Sequence, residues 1–340
     1  MGKDKEKRIV SKSIKSYVKN IGVALVCFLI VVVLNFVLPR LLPGNPIAYL
    51  TGMAEEDMTS AQYEYYYHAL HLNENWFIQF IYYLKSLLDG SLGYSFKKEM
   101  VVSAMILERL GYTLQITLPA VVLSTGIGLF WGLHCGYKKD SRIDRISTTA
   151  LIIFNTVPVF LIGLVLMILF CFKNRWFPYT GLNSTGVQAG TFAYFLDRLH
   201  HLVLPVVTLT VTTVPSRYLL MRNTARKIAD EKYILYAKTR GLSDYKIKFG
   251  YVLKNIAQPF ITMVGMSVSI CVGGSLVIEN IFSINGMGKL LTEAVYSLDY
   301  PLMQGILFVT TLIMVISIVI TDVICMLIDP KVRMGEKDEK

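Results

Sequence analysis

The chain has 340 residues, 54% of them apolar, and a formal charge of +10. An apolar share of that size exceeds what one packed core hides, which excludes an ordinary soluble domain. The charge raises nucleic acid as a partner, but the cations collect in a few segments between apolar runs, a pattern that excludes nucleic acid and makes membrane lipid the main solvent.

Six apolar runs lie near 21–39, 112–133, 148–172, 201–220, 257–279 and 303–328. Each has about the length that a helix rising ~1.5 Å per residue needs to cross ~30 Å of hydrocarbon. An all-α integral membrane protein with six transmembrane helices is therefore expected. The first run follows Lys12, Lys15 and Lys19 as a secretory signal would. It leads into Pro39-Arg40-Leu41-Leu42-Pro43 without a small-residue cleavage site, so it reads as a retained anchor. If residues 1–20 are cytoplasmic, 24 Lys/Arg fall on the inner side and eight on the outer, which puts both termini in the cytoplasm. The expected order is a cytoplasmic N-terminus (1–20), a first span (21–41), an extracellular segment (42–111), a transmembrane core (112–328) with a cytoplasmic loop at 221–256, and a cytoplasmic tail (329–340).

The extracellular segment is long enough to carry structure of its own. Leu42-Pro-Gly-Asn-Pro46 reads as a rigid turn, because each Pro fixes φ. Thr59 and Ser60 precede a helix start, with Glu64 placed to reach back toward Ser60 or the adjoining backbone. A second helix is predicted over Trp76 to Leu88. Trp76, Phe77, Phe80, Ile81 and Leu84 recur there at helical spacing and form an apolar face, lying along the membrane interface or against the bundle.

The five cysteines are scattered singly and show no metal spacing. His134, His200 and His201 sit at span edges and read as interfacial hydrogen-bonding groups, not metal ligands. Gly288-Lys289 imitates the end of a phosphate-binding loop. The Gly that such a loop needs five residues earlier is Ser283, and its hydroxyl residue after Lys is Leu290. No Gly-x-Ser-x-Gly or His-Glu-x-x-His motif marks a hydrolase in the spans.

The loop after the fourth run is patterned. Residues up to Arg240 suit a short helix with Tyr233, Tyr236 and Ala237 on one face and Lys232 and Lys238 elsewhere. Gly241 ends it in a left-handed turn, and a second helical run starts at Ser243. A short helix held this way fits a groove on a partner. On its basic residues alone it also fits anionic lipid.

Leu235-Tyr-Ala-Lys-Thr-Arg-Gly241-Leu242, Leu253-Lys254-Asn255 and Pro259 match in spacing the coupling loop of permease subunits of ATP-binding-cassette importers, in the form used by the peptide and nickel branch. The resemblance covers nearly the whole chain and is closest to the B-type permease of oligopeptide importers. It includes Leu87-Leu-Asp-Gly-Ser-Leu-Gly-Tyr-Ser95, Glu108-Arg-Leu110, Trp176-Phe-Pro178, His201-Leu-Val-Leu-Pro205, Glu279-Asn-Ile-Phe-Ser283, Gly286-Met-Gly288, Asp299-Tyr-Pro301 with Gln304-Gly305, and Asp329-Pro330. Leu235 and Tyr236 depart from the more usual Arg and Thr, and Gln258 stands where an apolar residue is common.

The resemblance implies a pair of related permeases, two cytoplasmic ATPase subunits that bind ATP and Mg, and an extracellular substrate-binding protein. No cofactor site is implied in this chain. Coupling falls to Tyr233, Tyr236, Ala237, Lys238, Gly241, Lys254 and Asn255: Tyr236 and Ala237 enter the ATPase groove, Lys238 meets acidic groups and Gly241 keeps the turn. Glu279 and Asp322, as charges within spans, are the candidates for the substrate pathway. Nickel-complex or oligosaccharide import is the alternative within this class. An ion-coupled secondary transporter is the alternative outside it, and that fold predicts two inverted halves.

Overall fold

A computed structural model describes residues 22–37, 40, 41, 45, 47, 48, 55–69, 71–273 and 276–328. The expected N-terminal basic segment, most of the Leu42–Pro46 turn and the 329–340 tail lie outside the described residues. The chain is mostly helical. Its helices are α1 (Gly22–Val37), α2 (Ser60–Ala69), α3 (Trp76–Leu88), α4 (Val102–Tyr137), α5 (Arg142–Thr156), α6 (Val159–Met167), α7 (Phe192–Ala229), α8 (Lys232–Thr239), α9 (Asp244–Ile247), α10 (Ala257–Gly273), α11 (Leu276–Ile281), α12 (Met287–Tyr296) and α13 (Tyr300–Ile328). A two-residue antiparallel hairpin, β1 (Tyr94–Ser95) with β2 (Met100–Val101), precedes α4. It marks one end of the bundle, and α8 marks the other.

Among the described residues three helices, α4, α7 and α13, are long and apolar enough to cross a membrane. At 36 and 38 residues, α4 and α7 extend well beyond the apolar runs at 112–133 and 201–220, since about 20 residues suffice for the hydrocarbon. The run at 148–172 is not one straight helix. It breaks into α5 and α6, which meet at 96°. The cause is local: Pro158 cannot donate a helical hydrogen bond, and Val157 before it is held extended. After Met167 the chain continues as a π-helical turn to Lys173.

α4 and α7 pack side by side and parallel. Gly128 lies against Arg217, Gly132 against Met221 and Gly136 against Ala225, a stripe at every fourth residue that brings the two backbones together. Two parallel neighbours require the chain between them to return across the bundle, and α5 with α6 makes that return. A Cβ at Gly136 would lie 2.4 Å from the Arg222 carbonyl oxygen and 2.8 Å from the Ala225 Cβ. Because the obstacle is backbone, relief requires moving a helix, at about 1–3 kcal/mol. Gly136→Val is therefore expected to lower the thermal unfolding temperature of the detergent-solubilised chain by several degrees. Gly126→Val, where a Cβ meets nothing within 4 Å, should leave it unchanged.

The buried Arg217 guanidinium ties three helices together. It donates to the Val121 carbonyl at 2.8 Å, to Ser124 Oγ at 2.6 Å, to Thr125 Oγ1 and, across to α10, to Ser267 Oγ at 3.0 Å. α10 and α13 run antiparallel, with Gly265 against Thr321 and Thr262 near Cys325.

At the hairpin end, α2 starts with a capping box one residue earlier than predicted. Thr59 N–H donates to Gln62 Oε1 and Gln62 N–H to Thr59 Oγ1, so Gln62, not Glu64, closes the box. α3 has the predicted bounds and is capped by Asn75.

Candidate functional site

Beyond α7, the chain forms a compact knob. α8 is only eight residues long, and its two ends are held by backbone geometry. At the C-terminus, Gly241 has φ +72°, its N–H donates to the Lys238 carbonyl, and the Leu242 N–H donates to the Ala237 carbonyl. This is the Schellman pattern, completed by Leu242 packing in the same apolar cluster as Ala237. Ser243 then caps α9. The chain passes through a π-helical turn (Lys248–Val252) to Asn255 and breaks at Ile256. Pro259 accounts for that break: it has no N–H for the Asn255 carbonyl, and its ring crowds the preceding turn.

Ile234 and Ala237 point inward. Both are buried with Leu133, Tyr137, Met221, Ala225, Ile247, Val252 and Ile256. Ala237 was expected beside Tyr236 on the docking face, and the geometry corrects this: with spacing i, i+3, it shares the inner face with Ile234, so it anchors the helix to its own bundle. Full burial of Ile234 contributes about 1.5–3 kcal/mol. The outer face carries Leu235 and Tyr236, 60% and 66% exposed, with Tyr245 of α9 at 73% nearby in sequence. Tyr233 is exposed at the edge, and partial burial pushes its phenol up from its ordinary value. Lys238 is exposed but leans back, its Nζ 5.4 Å from the centre of the Tyr137 ring. Lys254 and Asn255 are exposed, and Asn255 donates to the Tyr251 carbonyl at 2.8 Å.

The knob is braced from the α4–α5 turn. The Tyr137 hydroxyl donates to Asp244 Oδ1 at 2.7 Å, and Lys139 pairs with Asp230, whose carboxyl is held below the usual carboxylate range by that lysine. Deeper in, Arg222 grips the buried Asp144 with two bonds of 2.6 and 2.8 Å. Such bidentate pairing fixes angle as well as distance.

Glu279 and Asp322 are not brought together. Glu279 is buried at the hairpin end, where Oε2 accepts from the Gly288 and Lys289 N–H groups at 2.8 and 3.1 Å, and Oε1 accepts from Thr113 Oγ1 at 2.8 Å. Thr113 Oγ1 in turn accepts from Met287 N–H at 2.7 Å. The carboxylate thus caps the N-terminus of α12, the end of the helix where a negative charge is favoured. This also accounts for Gly286-Met-Gly288: a Cβ on Gly286 would lie 2.6 Å from the Glu279 carboxyl carbon. Asp322 is half-buried, some 22 residues along α13, or about 33 Å from its start. No hydrogen bond or ion pair joins it to another described residue. Among the described residues no three His, Cys, Asp or Glu side chains converge as metal ligands.

Residues 124–334 match the family described as binding-protein-dependent transport system inner membrane component. The chain belongs to this family. It is 31% identical over 299 residues to the probable peptide ABC transporter permease protein y4tP of Sinorhizobium fredii, covering 88% of this chain and 92% of that one. It is 27% identical to the oligopeptide transport system permease protein AppB of Bacillus subtilis (89% and 94% covered) and 29% identical to the di/tripeptide transport system permease protein DppB of Pseudomonas aeruginosa (93% and 97%). The long apolar helices are accordingly spans of a multi-pass membrane protein.

The residues that brace the knob of this permease, Tyr137, Asp144, Arg222 and Ile234, are not singled out by the sequence alone. Asp144 carried a usable signal: an acid in the first turn of a helix, in the short basic stretch 138–145, is a natural partner for an arginine of the next basic loop. Ile234 carried one too, as the apolar residue three positions before Ala237.

Proposed function

We propose that this chain is one of two permease subunits of an ATP-driven importer that moves oligopeptides across the cell membrane by alternating access. The observation that carries the reading is the knob: a short helix locked to the bundle by Ile234 and Ala237 and presenting Leu235 and Tyr236 outward, suited to a groove on an ATPase subunit. Tyr233, Tyr236 and Lys238 supply the contact surface, Gly241 sets its angle, and Lys254 and Asn255 flank it. Ala237 contributes from inside. ATP and Mg belong to the two ATPase subunits, and an extracellular binding protein delivers cargo. The spans form a two-state element whose populations nucleotide binding shifts by a few kcal/mol.

Six crossings follow if α1 and α10 each traverse the bilayer alongside α4, the α5–α6 pair, α7 and α13. The bias of Lys and Arg toward the α8 end supports cytoplasmic termini and an extracellular 42–111 segment. Peptide cargo is supported by the relatives, each named for peptide transport. Asp322, an acid within a span, is the favoured pathway group, and Glu279 the second.

The test is uptake of a labelled oligopeptide by vesicles holding the chain with a second permease and two ATPases, supplied with the binding protein. ATP-dependent uptake is expected, competed by peptides but not by nickel chelates or oligosaccharides. Asp322→Asn should reduce uptake at least tenfold while stimulated ATP hydrolysis persists. Uptake by the chain alone, driven by an ion gradient without ATP, would instead establish a secondary transporter.

A further inference from the structure

α3 has two faces that differ in kind. Its inner face is pinned to the end of α1. Phe80 packs edge-on against Phe36 with ring centres 5.0 Å apart, and Tyr83 lies 5.7 Å from the same ring. The buried Gln79 accepts from Arg40 Nε at 3.0 Å and donates to the Glu74 carbonyl at 2.9 Å. Burial pushes the Tyr83 phenol up to about 12, as expected for a dry contact. With Gln79 and Phe80 fixed inward, the helix cannot roll.

The outer face is a stripe of Phe77, Ile81, Leu84 and Leu88, spaced 4, 3 and 4 residues apart. Phe77 is 73% exposed, Ile81 48% and Leu88 88%. The exposed Lys85, four residues after Ile81, adjoins it with a stem long enough to follow the apolar surface while its ammonium reaches water, and the exposed Trp76 and Tyr82 stand off the stripe, Trp76 one turn before Phe80 and Tyr82 one turn before Lys85. Aromatic rings with one polar end, beside a lysine, are the composition of a membrane–water boundary.

Location selects the occupant. The contact at Phe36 lies in the last turn of α1, a helix that exposes Leu29, Ile30, Val33 and Leu34 almost to that point. The α3 stripe therefore adjoins the place where the apolar surface of a membrane helix runs out. It is one residue wide and about 17 Å long, far smaller than the area of roughly 600 Å² or more per partner that a stable protein contact needs. Side chains inserted among acyl chains need no complementary partner surface, and binding grows with whatever apolar area is buried.

We propose that α3 is an interfacial helix, lying in the plane of the bilayer at the hairpin end with Phe77, Ile81, Leu84 and Leu88 buried among lipid acyl chains. It would set the depth at which α1 leaves the hydrocarbon. The test places nitroxide labels on Phe77→Cys and Ile81→Cys in the full chain carrying Cys27→Ser, reconstituted in phosphatidylethanolamine–phosphatidylglycerol bilayers, with Lys98→Cys on the hairpin as the aqueous reference. Collision rates with oxygen and with a water-soluble nickel chelate are then measured. The oxygen-to-nickel ratio at 77 and 81 should exceed that at 98 at least fivefold. Equal ratios would show a water-facing stripe, and low collision rates with both reagents a protein-covered one. Either result overturns the proposal. A second measurement needs no label: brominated lipid should quench the unsubstituted chain more than Trp76→Phe, and equal quenching counts against it.

Discussion

Gly241→Val is expected to leave the chain in the membrane and to bring binding-protein-stimulated ATP hydrolysis of the assembled transporter close to its basal rate. The effect is one of backbone conformation. Gly241 has φ +72°, and a Cβ built there meets nothing within 4 Å. The site is open around the α-carbon, and the β-carbon of the new side chain clashes with nothing. What remains is the cost of holding a branched L-residue in the left-handed region, about 1–3 kcal/mol. The Schellman bonds run from the Gly241 and Leu242 N–H groups back to the Lys238 and Ala237 carbonyls of α8, so the strain is relieved by fraying the last turn of α8. The exposed Leu235 and Tyr236 then lose their fixed angle. At about 1.4 kcal/mol per tenfold, coupling weakens by roughly 10- to 100-fold. Gly241→Asn is the control, because Asn tolerates positive φ, and it should retain most of the stimulated rate. Full stimulation in the inserted Val variant would mean that this turn does not set the contact with the ATPase.

The same corner shows what a sequence can and cannot reveal. Gly241 was readable because the requirement is local: a helix end followed by a reversal needs a residue free to adopt positive φ. The bounds of α3 were readable for the same reason, since Asn75 caps it and its apolar spacing is regular. The face of α8 was not. An eight-residue helix contains only two inward positions, Ile234 and Ala237, and which side is inward depends on Leu133, Met221 and Ile256, contributed by three other segments. The break at Pro158 was visible in principle, but continuous hydropathy across 148–172 masks it, because lipid and a bent helix pair impose the same composition. The Gly128, Gly132, Gly136 stripe likewise becomes informative only once α7 is known to lie against it.

Several of the quoted sequence blocks have their explanation at the hairpin end, where they meet one another. Asp299 caps α13 through the Leu302 N–H and accepts a hydrogen bond from Ser95 of the hairpin. Gly305 gives room to Val102, and Arg109 donates to the Asn285 carbonyl. Residues separated by some 200 positions therefore form one scaffold around the turns between α11, α12 and α13. Their pattern in sequence signals function, yet the contacts they make are structural.

Glu279 lies at the centre of that scaffold, and two substitutions separate its structural role from a role on the pathway. Glu279→Ala removes the acceptor for two backbone N–H groups and for the Thr113 hydroxyl in a buried site. Each donor left unsatisfied costs about 1–3 kcal/mol, so the expected total is several kcal/mol. That is a large part of a typical folding free energy. The variant should be recovered from membranes at a small fraction of the usual yield. Glu279→Gln keeps the shape: its amide oxygen can take the two N–H groups of α12, and its amide can donate to Thr113 Oγ1 as the hydroxyl rotates away. It forfeits the charge assistance, about 1 kcal/mol, and costs the Thr113 hydroxyl its carboxylate acceptor. Near-normal yield and at least half of the peptide uptake are therefore expected for Gln. If Gln accumulates normally while uptake falls tenfold or more, the charge itself serves transport, and the capping geometry is the means by which a pathway carboxylate is aimed.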